Sequence, residues 1–152
     1  MLFGKRIVQP RLVAWAGELP YRYSGQTLPP RPFPEAVRRV VELVNARTGV
    51  RFNHVLLNRY RDGNDGMGMH ADDEPELGDG PTVASVSLGA PRRFVLAARR
   101  GGGRFEYVLG HGSLLVMRPP CQARCRHGIP KDPRAAGARV SLTFRQVLRP
   151  PA

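Results

Sequence analysis

Residues 139–145 read Arg-Val-Ser-Leu-Thr-Phe-Arg, a strict alternation of polar and apolar side chains. In an extended strand, successive side chains point to opposite faces. Arg139, Ser141, Thr143 and Arg145 therefore share one face, and Val140, Leu142 and Phe144 share the other. The polar face carries two guanidinium groups and two hydroxyls, and burying such a stripe is costly unless it meets an anionic partner. A dicarboxylate is such a partner, because a guanidinium meets a carboxylate with two parallel hydrogen bonds.

A second set of residues supplies chemistry beside that stripe. His70-Ala71-Asp72 places an imidazole and a carboxylate two positions apart, on one face if the stretch is extended. His127 follows the strand-like run Ser113-Leu114-Leu115-Val116-Met117 and is the candidate third ligand. Two imidazoles and one carboxylate leave three positions open on a six-coordinate metal, which a bidentate 2-oxo acid and dioxygen would fill. Imidazole donors favour a borderline metal over magnesium or calcium. Each fragment alone is common in proteins without metal chemistry. Together they point to a non-haem Fe(II) oxygenase with 2-oxoglutarate and O2 as cosubstrates.

The rest of the chain reads as β-rich. Residues 52–60, 82–88, 92–97, 104–109, 113–117 and 140–148 have strand character. One helix is predicted over 34–47, with Val37, Val40, Val41 and Val44 on one face, Pro34 in its first turn and Gly49 as its stop. Arg99-Arg100-Gly101-Gly102-Gly103-Arg104 reads as a hairpin turn with basic rims, Arg99 being a candidate phosphate contact. The 17 Gly and 15 Pro agree with many turns, and 152 residues without repeat or linker make one domain. The expected fold is mostly β with a flanking helix, a double-stranded β-helix (jelly roll) holding the metal between its sheets near one end.

These residues also carry a family resemblance. The runs Asn58-Arg59-Tyr60-Arg61-Asp62-Gly63, His70-Ala71-Asp72-Asp73-Glu74 and Ala84-Ser85-Val86-Ser87-Leu88-Gly89 resemble the AlkB family of oxidative nucleic-acid demethylases. So do His111 to Met117, His127-Gly128-Ile129-Pro130 and Arg139 to Arg145, and the likeness is greatest to the double-strand DNA repair branch. The resemblance implies His70, Asp72 and His127 as iron ligands and catalytic centre. It implies Asn58, Tyr60, Arg139, Ser141, Thr143 and Arg145 as the 2-oxoglutarate site. Asp73 and Glu74 fall where the family contacts the damaged base. Tyr21-Arg22-Tyr23-Ser24-Gly25 looks like the nucleotide-recognition lid, with Tyr21 or Tyr23 stacking on an extruded base. Leu2-Phe3-Gly4-Lys5 looks like the finger that fills the gap in the stack, with Phe3 as wedge, Gly4 as turn and Lys5 as phosphate contact. Residues 1–33 are thus the expected finger and lid region, and 34–152 the helix and jelly-roll core. Three positions depart from the family pattern. Ser141 stands where many members have Asn, Ala16-Gly17-Glu18 replaces a common Tyr-Gly-Asp, and Cys125 replaces an aromatic.

Charge bears on the partner. The net charge is +12, and the stretch from Asp62 to Pro91 holds seven of the 12 acidic residues and no Lys or Arg. A basic body around an acidic metal-binding insert suits a polyanion such as alkylated DNA or RNA. Arg makes up 22 of the 24 basic residues, a bias that a GC-rich genome also produces. No apolar run is long enough to span a bilayer, so no membrane partner is expected. Cys121 and Cys125 are too close together for a useful staple, and a reducing cytoplasmic setting is expected, nucleoid-associated in a bacterium. The expected activity of this monomer is oxidative demethylation of 1-methyladenine- and 3-methylcytosine-type bases in DNA, releasing formaldehyde and succinate. The alternatives are a 2-oxoglutarate oxygenase of RNA, protein or a small molecule, and a catalytically silent nucleic-acid-binding relative.

Overall fold

The computed structural model describes residues 10–148. Two antiparallel sheets face each other. The larger has five strands: β1 (Leu12–Gly17), β4 (His54–Tyr60), β11 (Arg139–Arg145), β6 (Val83–Gly89) and β9 (Leu114–Met117), in that spatial order. The smaller has four: β5 (Met67–His70), β10 (Cys125–Ile129), β7 (Arg92–Ala98) and β8 (Arg104–Leu109). A separate hairpin pairs β2 (Tyr21–Tyr23) with β3 (Gln26–Leu28). The helices are α1 (Glu35–Thr48) and the one-turn α2 (Cys121–Arg124). This is the expected jelly roll. Among the described residues, no helix is long and apolar enough to cross a membrane.

The alternation in β11 builds the molecule in layers. Val140, Leu142 and Phe144 pack with Val55, Ala84 and the Val41 and Val44 face of α1, so the helix covers the outside of the larger sheet. The opposite faces of the two sheets meet over Tyr60, Val83, Phe94, Leu109, Met117 and Ile129. The β2–β3 hairpin is anchored by Tyr21 and Leu28 against Leu56, Leu77 and Val147. Helix α1 starts one residue later than expected, with Pro34 as the cap, and ends on Gly49 in the left-handed conformation (φ 72°), whose N–H reaches Asn45 O.

Three features depart from the sequence reading. The last strand stops at Arg145 rather than continuing to 148, because Asn53 replaces the ladder: its side chain accepts from Val147 N–H at 2.7 Å and donates to Val147 O at 2.9 Å. The segment 12–17, in the region assigned to recognition, is instead the edge strand β1, paired with β4 along its whole length. Strands β5 and β10 were not anticipated, since neither shows alternation of its own.

His54 on β4 is 2% exposed, with neither ring nitrogen partnered among the described residues, and lies edge-on to Tyr21 at 4.8 Å. Burial, and then the nearby Arg145, push its pKa down to about 3. The unfolded chain binds a proton here below its ordinary pKa of about 6.5 that the folded chain refuses until about pH 3. Stability therefore falls as pH drops through that window. Replacing His54 by Leu is expected to shrink the loss of stability between about pH 7 and about pH 4.5 by roughly 2 kcal/mol. Urea melts of wild type and variant at both pH values measure it, and parallel losses would exclude this account.

Candidate active site

The site lies between the sheets, where the polar face of β11 meets the β5–β10 edge. His127 on β10 pairs directly with His70 on β5, and the register then slips, because Ile129 pairs with Met67. The extra residue in β5 is a bulge, a feature that bends a strand and re-aims side chains. Gly128 permits it: a Cβ there would come within 2.8 Å of Met67 O. The two imidazole rings end 4.4 Å apart, and Phe94 stacks on His127 at 5.5 Å.

Asp72 lies just past the end of β5 and is completely buried. Its Oδ1 accepts from Arg145 Nη2 at 2.6 Å and from Nε at 3.2 Å. Its Oδ2 has no hydrogen-bond partner among the described residues and lies 3.6 Å from His127 Nε2. That distance is too long for a hydrogen bond. Although burial alone pushes the Asp72 carboxyl up, Arg145 and the two imidazoles hold it below the usual carboxylate range. Burial, and then His70, push His127 down to about 4, so its imidazole is neutral near pH 7. The His70 Nδ1 bonds Gly68 O at 2.9 Å, which leaves Nε2 as the ring nitrogen available to a metal. Ligand atoms from His70, Asp72 and His127 all lie within 4.8 Å of one another. An unpaired buried carboxylate oxygen beside a neutral imidazole is a donor set that a divalent cation satisfies. Two imidazoles and one carboxylate suit Fe(II).

The other side of the cleft is cationic. Arg139 is 1% exposed; it donates to Ser87 Oγ at 2.8 Å, while Nε and Nη1 are buried without partners among the described residues. Its guanidinium carbon lies 5.2 Å from the Tyr60 ring centre. Burial lowers its pKa, against the opposing pull of Tyr60. A carboxylate would supply both the missing acceptors and the missing charge. Ser141 Oγ shares a 3.0 Å hydrogen bond with Ser85 Oγ and lies 3.5 Å from Thr143 Oγ1. Asn58 is already engaged, its Oδ1 accepting from Arg11 Nε at 2.8 Å. Arg145, expected as a cosubstrate contact, spends two donors on Asp72 and keeps only Nη1 unpartnered.

The residues expected to meet a base are arranged unevenly. Tyr21 is fully buried, packed on His54 and 5.6 Å from the Arg145 guanidinium carbon. A base cannot stack on it without moving the hairpin, which corrects that expectation. Tyr23 is half-buried, and its hydroxyl accepts from Arg11 Nη2 at 3.2 Å. Glu74 is half-buried with Oε2 unpartnered, and burial pushes its carboxyl up. Arg99 is not a free phosphate contact, because it pairs with Asp73 and donates to Gln122 O at 3.1 Å. Phe3, Gly4 and Lys5 lie outside the described residues. Sequence reasoning missed Arg11, Ser87 and Gln122 as site residues. Only Ser87 had a usable signal, its period-two spacing with Ser85 on β6.

Comparison with known proteins adds names to this geometry. Residues 4–145 match the 2OG-Fe(II) oxygenase superfamily. The chain is 43% identical over 157 residues to DNA oxidative demethylase ALKBH2 of Mus musculus, covering 97% of this chain and 66% of that protein. It is 42% identical over 153 residues to alpha-ketoglutarate-dependent dioxygenase alkB homolog 3 of Homo sapiens, covering 94% and 54%. To DNA oxidative demethylase ALKBH2 of Arabidopsis thaliana it is 34% identical over 182 residues, covering 97% and 56%. The chain thus spans between about half and two thirds of the length of these curated relatives.

Proposed function

We propose, because this chain belongs to the AlkB family of the 2OG-Fe(II) oxygenase superfamily, that it removes alkyl groups oxidatively from damaged bases in DNA. The observation that carries the reading is the pairing of two half-satisfied sets in one cleft. His70, Asp72 and His127 bring metal-ligand atoms within 4.8 Å, and beside them Arg139 offers a buried guanidinium, bonded to Ser87, whose Nε and Nη1 have no partner among the described residues. Bound iron with 2-oxoglutarate and O2 supplies oxidation of an N-methyl C–H bond, coupled to decarboxylation of the 2-oxo acid to succinate.

The protein's own residues supply placement. Arg139 would hold the distal carboxylate of 2-oxoglutarate, with the Ser141 and Thr143 hydroxyls beside it. Arg145 orients Asp72 through Oδ1 and leaves Oδ2 for the metal. A base must leave the helical stack to reach such a cleft, and methylation of its pairing edge already weakens its pair. Tyr23 is the remaining lid ring for stacking. Glu74, whose carboxyl burial pushes up, is the acidic group placed to meet the base. Phe3, Gly4 and Lys5 would form the finger that replaces the extruded base in duplex DNA. The net charge of +12 favours phosphate binding. We read the protein as a cytoplasmic monomer, nucleoid-associated if bacterial.

The test is formaldehyde release from 1-methyladenine and 3-methylcytosine in single- and double-stranded DNA, with matched RNA, protein-extract and metabolite controls. Release from methylated DNA, dependent on Fe(II) and 2-oxoglutarate, is expected. Succinate formation without formaldehyde from any nucleic acid would point to another substrate, and no succinate at all would leave a silent relative.

A further inference from the structure

Asp72 lies past the end of β5, so the strand ladder provides no partner for its backbone N–H, although the residue is completely buried. Orphaned buried N–H groups are rare in native proteins. The partner comes from far along the chain: Gln122 Oε1 accepts this N–H at 3.0 Å. Gln122 is itself 2% exposed, and its Nε2 reaches Met117 Sδ on the facing sheet at 3.6 Å. Its main-chain carbonyl accepts from Arg99 Nη2, the nitrogen that also grips Asp73. The Arg99 N–H in turn bonds Arg124 O at 2.8 Å. The one-turn helix α2 is therefore tied to the loop carrying Asp72, to the end of β7 and to β9. It also runs directly into β10, which carries His127.

We infer that Gln122 is a positioning residue for the metal centre, fixing the main chain of Asp72 relative to His127. Arg145 fixes the same residue through its carboxylate Oδ1, and the two restraints together leave Oδ2 facing His127. The inference rests on the reading of His70, Asp72 and His127 as metal ligands. Losing a group that orients a ligand commonly weakens metal binding by roughly 10–100-fold.

The test compares wild type, Gln122→Met and Gln122→Glu in the full chain. Co(II) titration followed by visible absorption reads metal affinity, and amide hydrogen exchange without metal reads the Asp72 N–H. Methionine keeps the length and loses the acceptor, whereas glutamic acid keeps an accepting oxygen at the same reach. Gln122→Met is expected to bind Co(II) roughly 10–100-fold more weakly. Its Asp72 amide should exchange faster while the β10–β7 ladder stays protected, and Gln122→Glu should bind close to the wild-type value. Unchanged Co(II) affinity in Gln122→Met overturns the inference alone. If Gln122→Met loses ladder protection throughout, Gln122→Glu decides, with near-wild-type binding in support and lost binding against. A wild-type chain that takes up no Co(II) overturns the metal-site reading and this inference with it.

Discussion

Replacing Asp72 by Ala is expected to abolish turnover entirely, including decarboxylation of 2-oxoglutarate in the absence of a damaged base. Asp72 is the single anionic member of the proposed ligand set, and it is completely buried. Its removal takes away a metal ligand and also the partner of the Arg145 guanidinium, which is equally enclosed. Leaving one member of a buried ion pair alone costs about 3–5 kcal/mol. Lost activity would therefore be ambiguous without a fold control. Asp72→Asn supplies it: the amide oxygen can still accept from Arg145, while the anionic donor is gone. The expected pattern is no metal binding and no succinate in either variant, with the Ala variant losing more stability than the Asn variant. Metal titration, succinate formation and urea melts measure the three terms. Wild-type turnover in either variant would remove Asp72 from the ligand set.

The second large effect is expected at Arg139. Its guanidinium is buried, bonded on one side to Ser87, and has two nitrogens without partners among the described residues. Hydrogen bonds to a charged group contribute about 1.5–3 kcal/mol each. Arg139→Ala should raise the 2-oxoglutarate requirement by at least about tenfold, since about 1.4 kcal/mol is a factor of ten. Metal affinity should be unchanged, because Arg139 makes no hydrogen bond to any of the three ligands. Arg145→Ala is expected to behave differently, weakening metal and cosubstrate binding together through Asp72. An unchanged 2-oxoglutarate titration in Arg139→Ala would mean that the guanidinium serves only to tie β11 to Ser87 and Tyr60.

Much of the scaffold was legible. Helix α1 shows its valines at helical spacing with a glycine stop, and the strands flanking the Arg99–Arg104 turn, Arg-Arg-Phe-Val-Leu-Ala-Ala and Arg-Phe-Glu-Tyr-Val-Leu, are separated by its three glycines. Strand β5 was not legible. Met-Gly-Met-His has no alternation, and its partner β10, Cys-Arg-His-Gly-Ile, is equally unpatterned. These two strands exist because they pair with each other and with β7. Tyr21 and Tyr23 look equivalent in Tyr-Arg-Tyr and share a face of β2, yet Tyr21 is fully buried while Tyr23 is half-buried with its hydroxyl on Arg11.

The amino-acid sequence by itself determined which groups are available. The donors His70, Asp72 and His127 and the alternating faces of β11 are local facts of residue type and spacing, and local spacing sets which side of an element a residue occupies. Which of those groups remain free was decided only by the tertiary structure. Arg139 and Arg145 are indistinguishable in Arg-Val-Ser-Leu-Thr-Phe-Arg, but Arg145 is taken up by Asp72 and Arg139 keeps unpaired nitrogens. The Gln122 bond to the Asp72 main chain joins residues 50 apart. Such partnerships depend on strand register and on how distant segments pack, and they follow from hydrogen-bond satisfaction in a closed interior rather than from any pattern along the chain.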